Sequence, residues 1–402
     1  MTIHARSHGF TALLTLTAAF ALEALGCDQT PVKPEPPASS ASQGVAPPPP
    51  PARATEISML YSSEKKEWME AAAATFQKAH PEIKLTLTAM GSLDAAQAIV
   101  DGKEKPTLFS PADSLVENLV ASDWKASGRP DLFVTSGEDA PQPLVITPLV
   151  YVVWEDRAAA LLKASGGTIG WKTIHAGISG NEGWPAIGGK SSWGFVKLGH
   201  ADPAHSNSGL QALYSMTLDF YGRPNGLEVG DFLKPGYQKY IKEIEKGVPR
   251  LETSTTAFMT DMLRFGPSKY DVAVVYESTA LSQIATAEGR WGKLRMYYPA
   301  TTLWSDHPVA VVHADWVTEP QRVAARAFVT HLKSKPVQEL AMTYGFRPAD
   351  PSVAIRNGDP QNPFNRLADR GVKLDIPAMA AAPSGEVVRA MLMMWSRVVV
   401  AK

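Results

Sequence analysis

The chain has 402 residues, a formal net charge of −1 and a hydrophobic fraction of 45%. A single hydrophobic core stops growing at about 250–300 residues, so this length calls for two lobes or domains. The composition excludes a disordered or collagen-like chain. The near-zero charge leaves no case for binding nucleic acid or an anionic membrane by bulk charge. The one cysteine, Cys27, allows no internal disulfide, thiolate zinc cluster or CxxC redox pair.

The chain opens with an export pattern: Arg6, then an apolar run over residues 11–22. That run is too short to span a bilayer, which takes about 20 residues, and it suits a signal-peptide core. Ala24-Leu25-Gly26-Cys27 resembles a bacterial lipoprotein signal, in which cleavage before the cysteine leaves its sulfur to carry diacylglycerol. Gly26 fits that pattern, whereas Ala24 replaces the usual leucine and Glu23 interrupts the apolar core. An ordinary secretory cleavage nearby is the alternative. Residues 28–54 hold nine prolines, including Pro47 to Pro51. This composition cannot build a core, and it predicts an extended tether.

Folded sequence begins near Thr55. Ile57–Tyr61 reads as a strand and Glu64–Ala79 as a helix with Trp68, Ala72, Phe76 and Ala79 on one face. Ile83–Thr88 is a strand, Leu93–Val100 a helix ending at Gly102, and Thr107–Ser110 a strand. This alternation predicts βαβ units and mainly parallel sheets. Val145–Trp154 is a long apolar strand, followed by a Gly- and Trp-rich region, 166–199. A helix over 207–221 carries Leu210, Leu213, Tyr214, Leu218 and Tyr221 on one face. Another, Thr256–Phe265, stops at Gly266-Pro267. Asp271–Glu277 and Pro308–His313 are strands, and Gln321–Lys333 and Val337–Tyr344 are helices. No apolar run after residue 22 is long enough to cross a membrane.

Enzyme motifs fail on spacing. Gly188-Gly189-Lys190-Ser191 looks like the end of a phosphate-binding loop, but the first glycine would have to stand at 184, which is Trp184. Ser62-Ser63-Glu64-Lys65 satisfies SxxK without the SDN and KTG partners. No GxSxG elbow occurs. The pairs His200/His205 and His307/His313 lack HExxH-type spacing, so no metal or other cofactor is expected.

Hydroxyl-rich turns remain, at the points where strands hand over to helices: Ser62-Ser63, Gly91-Ser92, Ser110-Pro111, Ser206-Asn207-Ser208-Gly209 and Thr253-Ser254-Thr255-Thr256. Tyr276 ends a strand. Open α/β sheets bind ligands at such strand ends. Helix starts offer unpaired N–H groups and a partial positive charge, so several of them facing one cleft would bind an oxyanion. Taken singly, each such residue is an ordinary N-cap.

Tyr61-Ser-Ser-Glu-Lys-Lys-Glu-Trp68 resembles the opening of bacterial extracellular solute-binding proteins, in particular the molybdate- and sulfate-binding-like class. Later landmarks occur in the expected order: Lys105–Ala112, Ala201-Asp-Pro-Ala-His-Ser-Asn-Ser-Gly-Leu210, Val274–Glu277 and Tyr344–Pro348. The resemblance implies a two-lobed type II periplasmic-binding fold with helices on both faces of its sheets. Lobe I would be 55–148 plus 308–402 and lobe II 149–307, joined by crossing hinge strands at Val145–Trp154 and near Tyr298–His307. It implies an exported, envelope-held protein that delivers a small solute, such as molybdate or sulfate, to the permease of an ABC importer without catalysis. The positions it matches to the ligand donors of molybdate-binding relatives are Ser62 or Ser63, Ser92, Asn207 or Ser208, Thr255 or Thr256, and Tyr276; Ser110 and Gly209, from the hydroxyl-rich turns, and Glu277, beside Tyr276, complete the candidate ligand-binding set, with Cys27 lipidated. An envelope sensor or interaction module with the same fold is the main alternative, and a secreted hydrolase a more distant one.

Glu277 is the departure from the oxyanion reading. A carboxylate facing the cleft would repel each ligand charge by about 4 kcal/mol at 4 Å and an effective dielectric of 20. Turned into the lobe and paired with a base, it would leave an oxyanion acceptable. No arginine stands out to bind a carboxylate ligand bidentately; Arg264 and Arg347 are the two to check.

Overall fold

The computed structural model describes residues 54–287, 290–376 and 379–401. The export segment, Cys27 and the proline-rich stretch to residue 53 lie outside them. The strands are β1 (Thr55–Ser62), β2 (Ile83–Met90), β3 (Leu108–Ser110), β4 (Gln142–Pro143), β5 (Val145–Trp154), β6 (Leu198–Gly199), β7 (Val272–Tyr276), β8 (Leu294–Tyr297), β9 (Trp304–Ser305), β10 (Pro308–Val311) and β11 (Arg347–Pro348). They form two sheets, ordered β2-β1-β3-β10-β4 and β11-β5-β7-β6, with β8 and β9 also paired to β5.

The helices are α1 (Lys66–Ala79), α2 (Ser92–Val100), α3 (Ser114–Ala126), α4 (Glu155–Ser165), α5 (Trp171–Ser179), α6 (Asn207–Tyr221), α7 (Pro235–Glu245), α8 (Thr255–Phe265), α9 (Glu277–Gln283), α10 (Glu319–Leu332), α11 (Lys335–Thr343), α12 (Pro363–Arg366) and α13 (Gly385–Trp395). Of these, α3, α4, α5, α7, α9, α12 and α13 were not expected from the sequence. Gly188–Lys190 links two short 3-10 turns, Trp184–Ile187 and Ser191–Trp193. It is not a strand–loop–helix junction.

Pairing is parallel from β2 through β1 to β3, and between β6 and β7. It is antiparallel at β3–β10, at β10–β4 and at β5's contacts with β7, β8, β9 and β11. The sheets are mixed, as the two-lobed fold expects, with the parallel pairing in the β2-β1-β3 and β6-β7 parts and more antiparallel pairing than the βαβ alternation alone suggests. The reason is the crossing. The chain leaves the first sheet through β4 and β5 and returns through β8, β9 and β10, so the outgoing and returning strands run side by side in opposite senses.

Burial explains the strongest sequence signals. In α1, Trp68, Met69, Ala72, Ala73 and Phe76 are buried, and Trp68 Nε1 donates to the Val337 carbonyl at 3.1 Å. Nine of the ten residues of β5 are buried, Ile146 being the exception. That continuous apolar run suits a strand covered on both faces. In α6 every residue from Asn207 to Leu218 is buried, so its hydroxyl and amide side chains must find partners inside the protein. Among the described residues, no helix is long and apolar enough to cross a membrane.

Candidate ligand-binding cleft

The ends of β1 and β2 turn into helices at Ser63 and Ser92. Opposite them stand the starts of α6 and α8 and the end of β7. Together they enclose a cavity of about 250 Å³ whose lining includes Ser63, Ser92, Asn207, Thr255, Thr256 and Tyr276. Six residues singled out in the sequence thus meet around one space. Glu64, Gly91, His205, Ser206, Thr253 and Ser254 complete the wall. A neighbouring chamber of about 590 Å³ shares Ser63, Glu64 and Thr256 and extends to Trp68, Gln283, Tyr344 and Arg366.

The helix starts differ in how they are capped. Gly91 before α2 and Ser206 before α6 make no side-chain cap, so the first N–H groups of both helices are left for other partners. Ser254 caps α8 by accepting from the Ala257 N–H. Ser208 Oγ is hydrogen-bonded to Thr255 Oγ1 and lies 3.3 Å from Ser206 Oγ. That hydroxyl chain ties the starts of α6 and α8 together.

Other sequence candidates lie outside the cavity wall. Ser62 and Ser208 are buried. Ser110 Oγ accepts from the buried Lys65 Nζ at 2.6 Å. Gly209 is a packing requirement: a Cβ there would sit 2.2 Å from the Ala201 carbonyl oxygen. Glu277 is corrected from a cleft residue to a buried structural one. Its carboxylate receives Arg347 Nε at 2.6 Å and Nη2 at 2.8 Å, together with the Tyr298 hydroxyl. Glu277, the first residue of α9, thus pairs with β11, whereas Tyr276, the last residue of β7, bonds Asn207.

Sequence reasoning missed a buried polar cluster behind the cavity. Asp113 caps α3, its Oδ1 accepting from the Leu115 N–H at 2.5 Å. Its Oδ2 receives Asn207 Nδ2 at 3.3 Å and also Gln211 Nε2, so one carboxylate bridges α3 and α6. Burial, then the nearby Asp306 charge, pushes the Asp113 carboxyl up to about 7. Burial, with Asp306 and Asp113, likewise raises Glu117 to about 8. Asp306 itself accepts from the Ser114 N–H at 2.9 Å and its hydroxyl at 2.5 Å. Burial lowers the Lys65 ammonium to about 7 against the pull of Glu64 and Asp306.

Asn207 is locked by the same cluster. Its Nδ2 donates to Asp113 and, at 2.9 Å, to the Tyr276 hydroxyl oxygen, while its buried Oδ1 has no partner. Glu64 Oε1 is also buried without a hydrogen-bond partner, and burial raises this carboxyl despite the opposing Lys65 charge. At the rim His205 Nδ1 lies 3.6 Å from Asp94 Oδ1. Among the described residues, no group of three or more His, Cys, Asp or Glu is placed to hold a metal ion.

The profile of the family described as "Bacterial extracellular solute-binding protein" matches residues 57–347. The chain belongs to this family. No curated protein matches this solute-binding protein in sequence. Its fold matches solved structures across nearly their whole length. SubI, the sulfate-binding protein of Mycobacterium tuberculosis H37Rv, is 16% identical with a TM-score of 0.52, over 86% of this chain and 98% of that one. AfuA of Actinobacillus pleuropneumoniae, a periplasmic binding protein with fructose-6-phosphate bound, is 13% identical with a TM-score of 0.58, over 87% and 99%. A periplasmic thiamin binding protein is 14% identical with a TM-score of 0.57, over 89% and 99%. At these identities the likeness establishes the fold: the solute-binding protein has the two-lobed, type II periplasmic-binding architecture.

Proposed function

We propose that this solute-binding protein captures a small polar solute among Ser63, Ser92, Asn207, Thr255, Thr256 and Tyr276 and passes it to the permease of an ABC importer. The observation that carries this reading is the convergence of turns from both sheets on one polar cavity, closed from behind by the Asp113 bridge to Asn207 and Gln211. The lobes divide at 55–148 plus 308–402 and 149–307, and the paired crossing strands are the hinge. The free N–H groups of α2 and α6 support an anionic group on the solute. Burial of Glu277 against Arg347 removes the repulsion that its place in the sequence suggested. Sulfate and a sugar phosphate, named for two similar structures, are ligands of the same charge type. The protein works by binding and release, without a catalytic step. It is exported and held at the cell envelope by a lipid on Cys27, with residues 28–54 as the tether.

A thermal-shift panel on the purified protein tests this. A ligand at 100 times its dissociation constant stabilises by about 2.7 kcal/mol. At least one inorganic or organic anion should raise the melting temperature, and Thr256→Trp, which fills the shared wall of both chambers, should abolish the shift. Absence of any response to anions overturns the anion-binding reading. Cys27→Ser should move the protein from the membrane fraction to the soluble envelope fraction, and continued membrane retention rules out the lipid anchor.

A further inference from the structure

We infer that the solute is an organic anion whose carbon frame carries hydroxyl or ammonium donors, not a bare tetraoxyanion. This rests on the cleft assignment above and concerns what the cleft selects.

Asn207 supplies the first observation. The residue is 4% exposed, and its Nδ2 is held by the Asp113 carboxylate and the Tyr276 hydroxyl. With Asp113 ionised, above about pH 7, turning the amide over would set Oδ1 against the carboxylate, acceptor against acceptor. In that state the amide is held with Oδ1 as the atom left for a ligand, and that oxygen is buried with no partner. A side chain that the sequence suggests as a donor to an oxyanion presents an acceptor instead.

Glu64 supplies the second. It lines both chambers, and its Oε1 is buried without a hydrogen-bond partner. A buried acceptor left unpaired is costly, and two on residues that line one cavity ask for donors from whatever fills it. Sulfate, molybdate or phosphate dianions bring almost none, and in a low-dielectric cleft their charge is repelled by the same oxygens. A hydroxyl or ammonium group on the ligand satisfies both acceptors, while the anionic end takes the free N–H groups at the starts of α2 and α6.

Size is the third. The chambers of about 250 and 590 Å³ meet at Ser63, Glu64 and Thr256. Clefts of about 300–1,000 Å³ suit organic ligands. The larger chamber adds Gln283, Tyr344 and Arg366 along the path a carbon frame would take.

Isothermal titration of the purified protein with two sets of probes tests the inference. The bare anions are sulfate, molybdate and inorganic phosphate; the donor-bearing ones are glucose 6-phosphate, phosphoethanolamine and gluconate. At least one donor-bearing probe should bind ten-fold or more tightly than every bare anion, and Glu64→Gln should narrow that gap about ten-fold. Equal or tighter binding of a bare anion overturns the inference, as does failure of all three donor-bearing probes to bind. An unchanged gap in Glu64→Gln also counts against it. Thr256→Trp separates the two levels. If a bare anion wins and Thr256→Trp abolishes its binding, the ligand class is wrong and the cleft stands. If binding of the winning probe survives Thr256→Trp, the cleft assignment falls as well.

Discussion

Arg347 grips Glu277 with both ends of its guanidinium fork, Nε to Oε2 at 2.6 Å and Nη2 to Oε1 at 2.8 Å, and both residues are buried. The Tyr298 hydroxyl donates to the same carboxylate, and Arg347 Nη1 donates to the Leu374 carbonyl at 3.0 Å. The pair joins the start of α9 to β11, whose neighbour is the first part of β5. A charge that could have opposed an anionic solute is thereby spent on holding the crossing region together.

Removing one partner of such a buried pair leaves the other uncompensated, which costs about 3–5 kcal/mol. Arg347→Met and Glu277→Gln should each destabilise the protein by that order in urea unfolding. The double variant Glu277→Leu/Arg347→Met should recover much of the loss, because no buried charge remains. Single variants within 1 kcal/mol of wild type would show that the pair carries little.

Asp113 makes stability depend on pH. Its carboxyl is held at about 7, against about 3.9 in an unfolded chain. Between these values the folded protein keeps a proton that the unfolded chain has released. The contribution is therefore complete below about pH 4 and is lost as pH rises through about 7. Glu117, raised to about 8, acts in the same sense. Lys65, lowered to about 7, acts oppositely but only above that pH. Burial holds His307 well below its usual range, which opposes this trend up to about pH 6.5, so the melting temperature should fall from about pH 6.5 to about pH 7. In Asp113→Asn the slope should be shallower. That variant should also lose about 1–3 kcal/mol overall, because two buried amides face a weaker acceptor. A wild-type melting temperature that rises over this range contradicts the assignment.

What the sequence showed and what it hid divide along contact distance. Val145–Trp154 and helix 207–221 were read residue for residue, because an apolar run and a one-sided stripe are local properties. Ser63, Ser92, Asn207, Thr255, Thr256 and Tyr276 were legible as strand-to-helix turns. Asp113 was not, because its meaning comes from Asn207 and Gln211, 94 and 98 positions away. A local clue did exist: an aspartate stands before the apolar positions Leu115, Val116, Leu119 and Val120, a helix-start pattern. The polarity of Asn207 was beyond the sequence altogether, since only the carboxylate beside it decides which end of the amide is free.

Gly209 tests the packing behind the turn. Alanine there would place its Cβ 2.2 Å from the Ala201 oxygen and 2.8 Å from two backbone carbons of the preceding turn. Overpacking of this kind costs about 1–3 kcal/mol. Because that turn leads into Ser206 and Asn207, solute affinity should drop as well. Gly230→Ala, where a Cβ meets nothing within 4 Å, serves as the neutral control. Equal stability of the two variants in urea unfolding would show that the close approach is not binding on the fold.

Tyr276→Phe examines the cleft with the smallest change. The ring stays, and only the hydroxyl that accepts from Asn207 Nδ2 is lost. Asp113 still holds the amide, so the fold should survive within about 1 kcal/mol. The Asn207 side chain, however, loses one of the two contacts that hold its amide at the cavity wall. One such hydrogen bond is worth about 0.5–1.5 kcal/mol, so affinity for an anion that stabilises the wild type should fall about three- to ten-fold by titration. Ser208→Ala makes the contrast, because Ser208, itself outside the cavity wall, touches it only through its bond to Thr255. It should lower the melting temperature more than the affinity. The opposite ranking, with Ser208→Ala costing more affinity than Tyr276→Phe, would move the binding contacts from the Tyr276 side of the cleft to the junction of α6 and α8.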